Sequence, residues 1–417
     1  MEGAKMTNLI NISGRNLFRY KRRTFLTLTL IVVGVLFVAG FIAVTGSFKS
    51  IMIGQITDSF VGHMQIHRKG YLAAIDNLPL TMNLKPGIVQ KVAAILKETP
   101  EIESYSPRIK FGGMFSNFIE TTNIRLNGVD PELEAKTLPL LLSRILDGEK
   151  TLKKGEIYVP ELLAKGMKVK VGDMVVVVAT NRDGSVNGKQ LKVGAIIESA
   201  TGPGGRDGYV HIEDAMEILR MEEQEISEIV VRVKDFGNLK TVFDNLITRL
   251  SNEKNKEGTP ILDVNTWEKL SPFYNIARMI DMMTLFVKIM LIAIVLISIM
   301  NVMVMAVYER IREIGTIAAI GTLPGKILSM FLMEGLLLGA IGAGIGSVIS
   351  VAMVYMINIV EFTYNFGRQK DLVLTASLNP QDLLVISGIV IVVAVIASLQ
   401  PALKASRMDP IRALGYV

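Results

Sequence analysis

Four stretches of this chain are apolar over the roughly 20 residues that a helix needs to cross a bilayer. Residues 24–48 carry no charge, and neither do 289–308, whose apolar pattern extends back to Met282 with Lys288 placed to snorkel outward. Residues 335–360 and 383–403 supply the other two. The pattern predicts transmembrane helices over 24–48, 281–308, 327–360 and 383–403, with a short charged elbow at 309–326 and a short outer loop at 361–382. Residues 1–23 and 404–417 flank the spans.

The 49–280 stretch reads differently. "VGHMQIH" (61–67) alternates, Pro86–Lys97 gathers Ile88, Val92, Ile95 and Leu96 on one helical face, and "IESYSPRI" is extended again. After Gly208 the pattern returns: 212–219 helical, "ISEIVVRV" (226–233) extended, 238–250 helical, "ILDV" (261–264) extended. Between them lie strand-rich segments punctuated by turns, including "GEIYVP", "VGDMVVVVAT", "RDGSVNGK" and "GPGGRDG". The expected fold is an α-helical integral membrane protein carrying a large extracytoplasmic α+β domain. The halves of that domain, 49–110 and 206–280, flank a β-rich insertion at 111–205.

Composition agrees with a mixed membrane protein: 50% of residues are hydrophobic, 20% charged, and the mean hydropathy is +0.41. Residues 47–280 carry 30 of the 45 Lys and Arg and 30 of the 39 Asp and Glu, so the remainder holds 15 basic against 9 acidic residues and the whole net charge of +6. The excess sits at span ends: Lys5, Arg15, Arg19, Lys21, Arg22 and Arg23 before the first span, Arg310, Arg312 and Lys326 in the elbow, and Lys404, Arg407 and Arg412 in the tail. The outer loop has only Arg368 and Lys370. This bias predicts cytoplasmic termini and a cytoplasmic elbow. It is a topology signal, and a nucleic-acid partner is not expected.

Candidate chemistry is sparse. His63 and His67 have the spacing of a zinc pair on a helix, but on a strand they lie roughly 13 Å apart and cannot share one ion. With three His and no Cys, no metal site and no thiol chemistry is expected. "GTLPGKI" and "GSVNGKQ" each have one residue too few for a P-loop and lack its Ser or Thr; with "GPGGRDG" they read as turns. No catalytic residue is assigned. In the third span Gly335, Gly339, Ala343 and Ser347 form one small-residue row and Gly342, Gly346 and Ser350 a second, a pattern that lets helices approach closely, within one subunit or between two. The second span is rich in methionine, a side chain that adapts to irregular apolar partners, and Met279, Met283, Phe286 and Met290 are its candidate substrate-lining residues.

"YERIREIGTIAAIGTLPGKI" (308–327) interleaves two acids with two arginines, then adds an apolar face at Ile314 and Ile317 and a turn at Gly321. Anchoring alone needs fewer charges; the mixture suits a helix pressed on a charged protein surface. Glu309 and Glu313, at i, i+4, are expected to share a helix face. With "FLMEGLLLGAIGAGIGSVIS" and the tail "PALKASRMDPIRAL", this stretch resembles the FtsX-like permease family of ABC transporters, with its E-R-x-R-E-I-G…A-I-G segment, F-L-x-E and closing D-P-I-x-A-L. The resemblance implies that Glu309, Arg310, Arg312, Glu313, Gly315, Ile317 and Gly321 belong to a coupling helix that docks into a separate ATPase. Glu334 falls at the F-L-x-E position, and Asp409 and Pro410 in the tail. It also implies a split porter domain with a sabre-like insertion, two ATPase copies holding ATP and Mg²⁺, and a second permease protomer, identical or not.

About 23 residues precede the first span, enough for an interfacial helix ("LINISGRNLFRY") but not for a fused ATPase, and the layout is similar to that of the lipoprotein-releasing permeases. The expectation is a non-catalytic permease in the cytoplasmic (inner) membrane, in contact with membrane lipids and a periplasmic acceptor or adaptor. Three functions share this layout: extraction of lipoprotein or another amphiphile, tripartite export of peptides or drugs, and signalling to cell-wall hydrolases.

Overall fold

The computed structural model describes residues 13–15, 19, 21–199, 207–251, 253–254, 258–366 and 369–414. Most of the expected interfacial helix at 9–20 and most of "GPGGRDG" lie outside them. The chain forms two compact units, Met1–Ser50 with Ala277–Val417, and Ile51–Ile276.

The first unit holds four helices long and apolar enough to cross a membrane. Helix α1 (Lys21–Ile56) begins it, and its core is Ile31, Val35 and Val38 packed with Leu291, Val295, Phe331, Leu338, Val390 and Ala394 of the other three. The helix outruns its expected end at residue 48, because nothing in the stretch after the apolar run stops it. A five-residue π-helical turn, Thr57–Val61, follows, and the chain leaves helical geometry only at Gly62. That glycine has φ +71°, and a Cβ there would stand 2.2 Å from Val230 Cγ1.

The second unit is one ten-stranded sheet with helices on it. Its strands are β1 (Met64–Arg68), β2 (Ile102–Ser116), β3 (Thr121–Val129), β4 (Ile145–Gly148), β5 (Glu156–Pro160), β6 (Met174–Thr180), β7 (Val186–Ile197), β8 (Asp207–His211), β9 (Glu228–Val233) and β10 (Leu262–Thr266). The order is β10-β1-β9-β2-β3-β8-β5-β7-β4, with β6 pairing β2 and β7. In β10-β1-β9-β2 every pair is antiparallel, so strands from the two ends of the domain interleave. Helix α2 (Pro86–Lys97) connects β1 toward β2, which makes a split β-α-β arrangement. Helices α3 (Pro131–Thr137), α4 (Glu161–Gly166) and α5 (Ile212–Ile218) follow β3, β5 and β8. Helix α6 (Leu239–Leu250) buries Leu239, Val242, Leu246 and Leu250, an i, i+3, i+7, i+11 stripe.

The expected insertion boundary at 110/111 needs correction, since it falls inside β2. One end of that strand pairs with β9 and the other with β6, and β3 runs along its second half. A change of turn frequency marked the boundary in the sequence, but a long strand can serve two regions of one sheet. Gly113 makes this feasible: a Cβ there would meet the Val178 carbonyl at 2.8 Å.

After the four-residue α7 (Trp267–Leu270), α8 (Tyr274–Glu309) starts well before the expected residue 281. The elbow is not one helix but α9 (Ile311–Ala319), a turn, and then α10 (Pro324–Val360), whose first residue is the proline at N1. The outer loop contains a hairpin, β11 (Thr363–Phe366) and β12 (Gln369–Val373). Helix α11 (Pro380–Ser406) and the short α12 (Pro410–Leu414) complete the chain.

Within the membrane unit the two glycine rows face different partners. A Cβ on Gly335 or Gly339 would meet Ser398 Oγ at 2.5 Å or Ala394 Cβ at 2.6 Å, both on α11. On Gly342 or Gly346 it would meet Ile31 Cγ2 at 2.7 Å or Val35 Cβ at 2.8 Å, both on α1. One helix thus packs backbone-close against two neighbours of its own chain. Ser347 and Ser387 share a hydrogen bond of 3.0 Å across α10 and α11.

Candidate functional site: the charged elbow

The elbow is built from the end of α8 upward. Helical geometry fails at Arg310 (φ −113°, ψ 18°), and α9 restarts at Ile311. Arg310 then turns inward: its side chain is 3% exposed and Nη1 lies 3.4 Å from Oε1 of Glu334, itself 1% exposed, on α10. Removing one partner of such a pair would strand the other charge in a dry site.

Helix α9 is amphipathic. Ile311, Ile314 and Gly315 are buried, while Arg312, Glu313 and Thr316 face outward. A Cβ on Gly315 would lie 2.6 Å from the Ala413 Cβ, so α9 and α12 touch nearly backbone to backbone. The tail motif supplies that contact: Asp409 accepts the Ile411 N–H at 3.0 Å, Pro410 opens α12, and Ala413 faces Gly315. Glu313 pairs with Arg19 at 2.8 Å on the exposed side. At the far end Gly321, at φ +93°, reverses the chain. Here apolar side chains come to the surface: Ile317 is 39% exposed, Leu323 65% and Ile320 81%.

These placements correct three expectations. Arg310 is not a docking contact, because its guanidinium is spent on Glu334. Gly315 and Ile314 are internal, packed within the chain rather than offered to a partner cleft. Glu309 and Glu313 do not share a continuous helix, since the break at Arg310 separates them. Lys49 of α1 also meets Asp281 of α8 at 2.6 Å. Glu309, Arg312, Glu313, Ile317 and Gly321 remain on the outer face or turn of the elbow. Sequence reasoning passed over Ile320 and Leu323, although two bulky apolar residues flanking a glycine turn in a charged loop were a usable signal.

Met279, Met283, Phe286 and Met290 lie along one face of α8 and are each about half exposed or more.

In the second unit, three arginines hold the π-helical turn that follows α1. Arg108 donates to the Phe60 carbonyl at 3.1 Å. Arg144 donates to the Ser59 carbonyl at 3.1 Å and lies 3.7 Å over the Phe60 ring. Arg232 pairs with the Asp58 carboxylate, which His63 Nε2 also approaches at 3.4 Å. Burial pushes the Asp58 carboxyl up, but the hydrogen bonds from His63 and Arg232 and the Arg232 charge outweigh it and hold the group below its usual range. The two histidines of the "HMQIH" stretch have separate carboxylates, since His67 Nε2 is 3.6 Å from Glu228 and its ring stacks on Tyr71.

Residues 285–410 match the FtsX-like permease C-terminal family, and residues 24–248 match the MacB-like periplasmic core domain. The chain is 34% identical over 178 residues to the ABC transporter permease YtrF of Bacillus subtilis, covering 41% of this chain and 40% of that one. It is 23% identical over 345 residues to the lipoprotein-releasing system transmembrane protein LolC of Xylella fastidiosa, covering 78% and 81%. Identity to the probable export ATP-binding/permease protein MacB of Pseudomonas entomophila is 22% over 416 residues, 96% of this chain but 57% of that one. Among solved structures, the periplasmic region of MacB from Actinobacillus actinomycetemcomitans overlays with a TM-score of 0.36 at 13% identity, covering 51% of this chain and 92% of that one. The chain belongs to the FtsX-like permeases of ABC transporters, and it carries a periplasmic core domain of the MacB type.

Proposed function

We propose that this permease transmits ATP hydrolysis by a separate ATPase subunit, across the cytoplasmic membrane, to extraction or release of a lipoprotein or another amphiphile. The observation that carries the reading is the elbow: its base is welded to the chain by Arg310–Glu334 and Gly315–Ala413, while its tip offers Ile317, Ile320 and Leu323. A clamped base with an apolar tip can pass a push into α8 and α10; a loose loop could not. ATP and Mg²⁺ would be held by two copies of the partner, facing a dimer of permease protomers. The termini and the elbow would face the cytoplasm and the MacB-type domain the opposite side, where an acceptor or adaptor protein would meet it.

The amphiphile reading draws on the exposed Met279, Met283, Phe286 and Met290 face of α8 and on the distant likeness to LolC. Three acyl chains hold about 48 carbons, worth roughly 38 kcal/mol at ~0.8 kcal/mol per CH₂ if exposed to water. A carrier must therefore shield them, and flexible thioether side chains fit varied chains well.

The test is co-purification from native membranes followed by ATP hydrolysis measurements. The permease alone should hydrolyse no ATP, and the complex with its ATPase should. Replacing Ile320 and Leu323 with Glu removes apolar burial worth about 2 kcal/mol or more, which predicts at least about 30-fold weaker ATPase binding. Hydrolysis by the chain alone, or wild-type binding by the double variant, would overturn the coupling reading. Coupling retained without lipoprotein release would overturn only the choice of cargo.

A further inference from the structure

Helix α11 carries a stripe that the coupling machinery does not use. Ile396, Leu399, Gln400, Leu403, Lys404 and Arg407 line a groove of about 550 Å³. Their spacing of three and one residues puts them on one face. The opposite face, with Ala394, Ala397, Ser398, Ala402 and Ala405, is buried. The stripe begins apolar and ends cationic: Ile396 and Leu399, 56% and 42% exposed, come first, the Gln400 amide and the half-buried Leu403 next, and the two cations last.

Length decides what fits this order. From Ile396 to Arg407 the helix rises about 16 Å, close to half of a hydrocarbon core of about 30 Å. The apolar end therefore lies at acyl-chain depth and the cationic end at headgroup level of a single leaflet. A water-soluble partner could reach only the cations. Lys404 and Arg407 make no ion pair or side-chain hydrogen bond among the described residues. Asp409, the nearest acid in sequence, has a carboxylate oxygen on the Ile411 N–H.

We propose that this groove binds an anionic phospholipid, with its phosphodiester on Lys404 and Arg407, its ester region beside Leu403 and Gln400 and an acyl chain along Leu399 and Ile396. A zwitterionic lipid offers the same acyl chains but sets its own ammonium against the two cations, so charge selects the anionic class. The site lies apart from the elbow tip and from the methionine face of α8, and it stands whether or not the cargo is a lipoprotein.

The experiment titrates the delipidated, detergent-purified full chain with dioleoylphosphatidylglycerol and with dioleoylphosphatidylcholine, counting bound lipid by native mass spectrometry. The glycerol lipid should bind at least tenfold more tightly. Lys404→Gln and Arg407→Gln should each weaken it about fivefold, and together about 25-fold. Both positions are solvent-facing, so the single variants keep the test intact if the double one inserts poorly. Ile396→Trp, which fills the apolar end, should weaken the lipid without altering competition by inorganic phosphate. Equal affinity for the two lipids, or a double variant with wild-type binding, would overturn the site. Displacement by inorganic phosphate as effective as by lipid would reduce it to an anion contact. A double variant that changes the dimer fraction but not lipid binding would make the stripe a contact between two copies, and the lipid assignment would fail.

Discussion

Glu228 shows how a single residue organises the extramembrane domain. It is fully buried on β9, accepts Arg108 Nη1 at 2.9 Å, and has Lys110 and His67 at 3.6 Å; Arg108 also pairs with Glu134 and reaches the Phe60 carbonyl. Burial alone would raise the Glu228 carboxyl, but the neighbouring Lys110, His67 and Arg108 reverse the sign and hold it well below the usual carboxylate range. Because the folded-state value is depressed, the stabilisation is fully present above the unfolded pKa of about 4.3 and drains away as pH falls below it. Asp58 behaves the same way near pH 4 and below, and its partner Arg232 sits on the same strand. Glu228→Gln leaves Arg108 partly uncompensated in a dry site, and should cost about 3–5 kcal/mol at neutral pH while flattening the acid limb. The single tryptophan, Trp267, is 4% exposed in this domain, so its fluorescence during urea unfolding of the full chain reads the change directly. An unchanged midpoint at pH 7 would show that the pair contributes no net stability. None of this was legible in the sequence. Arg108 and Glu228 are 120 residues apart, and what joins them is the antiparallel register of β2 on β9, which no local pattern encodes.

At the scale of elements, the opposite holds for α10. Its small residues recur at three and four, and that spacing alone announces close helix approach. What the spacing could not say is which neighbour each row meets, because both rows look alike; the structure assigns Gly335 and Gly339 to α11, and Gly342 and Gly346 to α1. Gly344, which belongs to neither row, has nothing within 4 Å of a built Cβ. The contrast makes a controlled prediction. Gly339→Val and Gly342→Val should each lower the thermal stability of the membrane unit by about 1–3 kcal/mol through overpacking, whereas Gly344→Val should stay within about 0.5 kcal/mol. Thermal unfolding in detergent, followed by helical circular dichroism, separates the cases; equal effects at Gly342 and Gly344 would mean α1 does not pack there. The elbow lies between these extremes. Its charges and glycines were visible as a motif, but the motif's internal logic was not. Arg310 and Glu334 are 24 residues apart in sequence, and Gly315 meets Ala413 from the other end of the membrane unit, so two of the residues that read as a docking surface, Arg310 and Gly315, are fasteners within the chain.

For the whole molecule the deciding quantity is which side each unit faces. The 49–280 stretch was recognisable as one domain because its charges balance and its periodicities change, and the four spans because their apolar runs are long; orientation rests on the cations gathered at span ends. Lysine and arginine flanking short loops resist translocation, so the elbow, with Arg310, Arg312 and Lys326, and the tail, with Lys404 and Arg407, are expected on one side and the large domain on the other. The chain contains no cysteine, which turns any introduced thiol into a unique reporter. Ser185 lies at an exposed hairpin between β6 and β7, where its hydroxyl bonds only Asp183 and Asn181 nearby, so a cysteine there perturbs little. Thr322 follows the Gly321 turn at the elbow tip. With intact cells opened only at the outer envelope, Ser185→Cys should react with a membrane-impermeant maleimide and Thr322→Cys should not; after detergent, both should. Labelling of Thr322→Cys alone would invert the chain in the membrane, place the elbow out of reach of any ATP-hydrolysing partner, and remove the physical basis for coupling. Labelling of both in intact cells would break the four-span reading itself, because one side cannot hold both a domain that follows the first span and an elbow that follows the second.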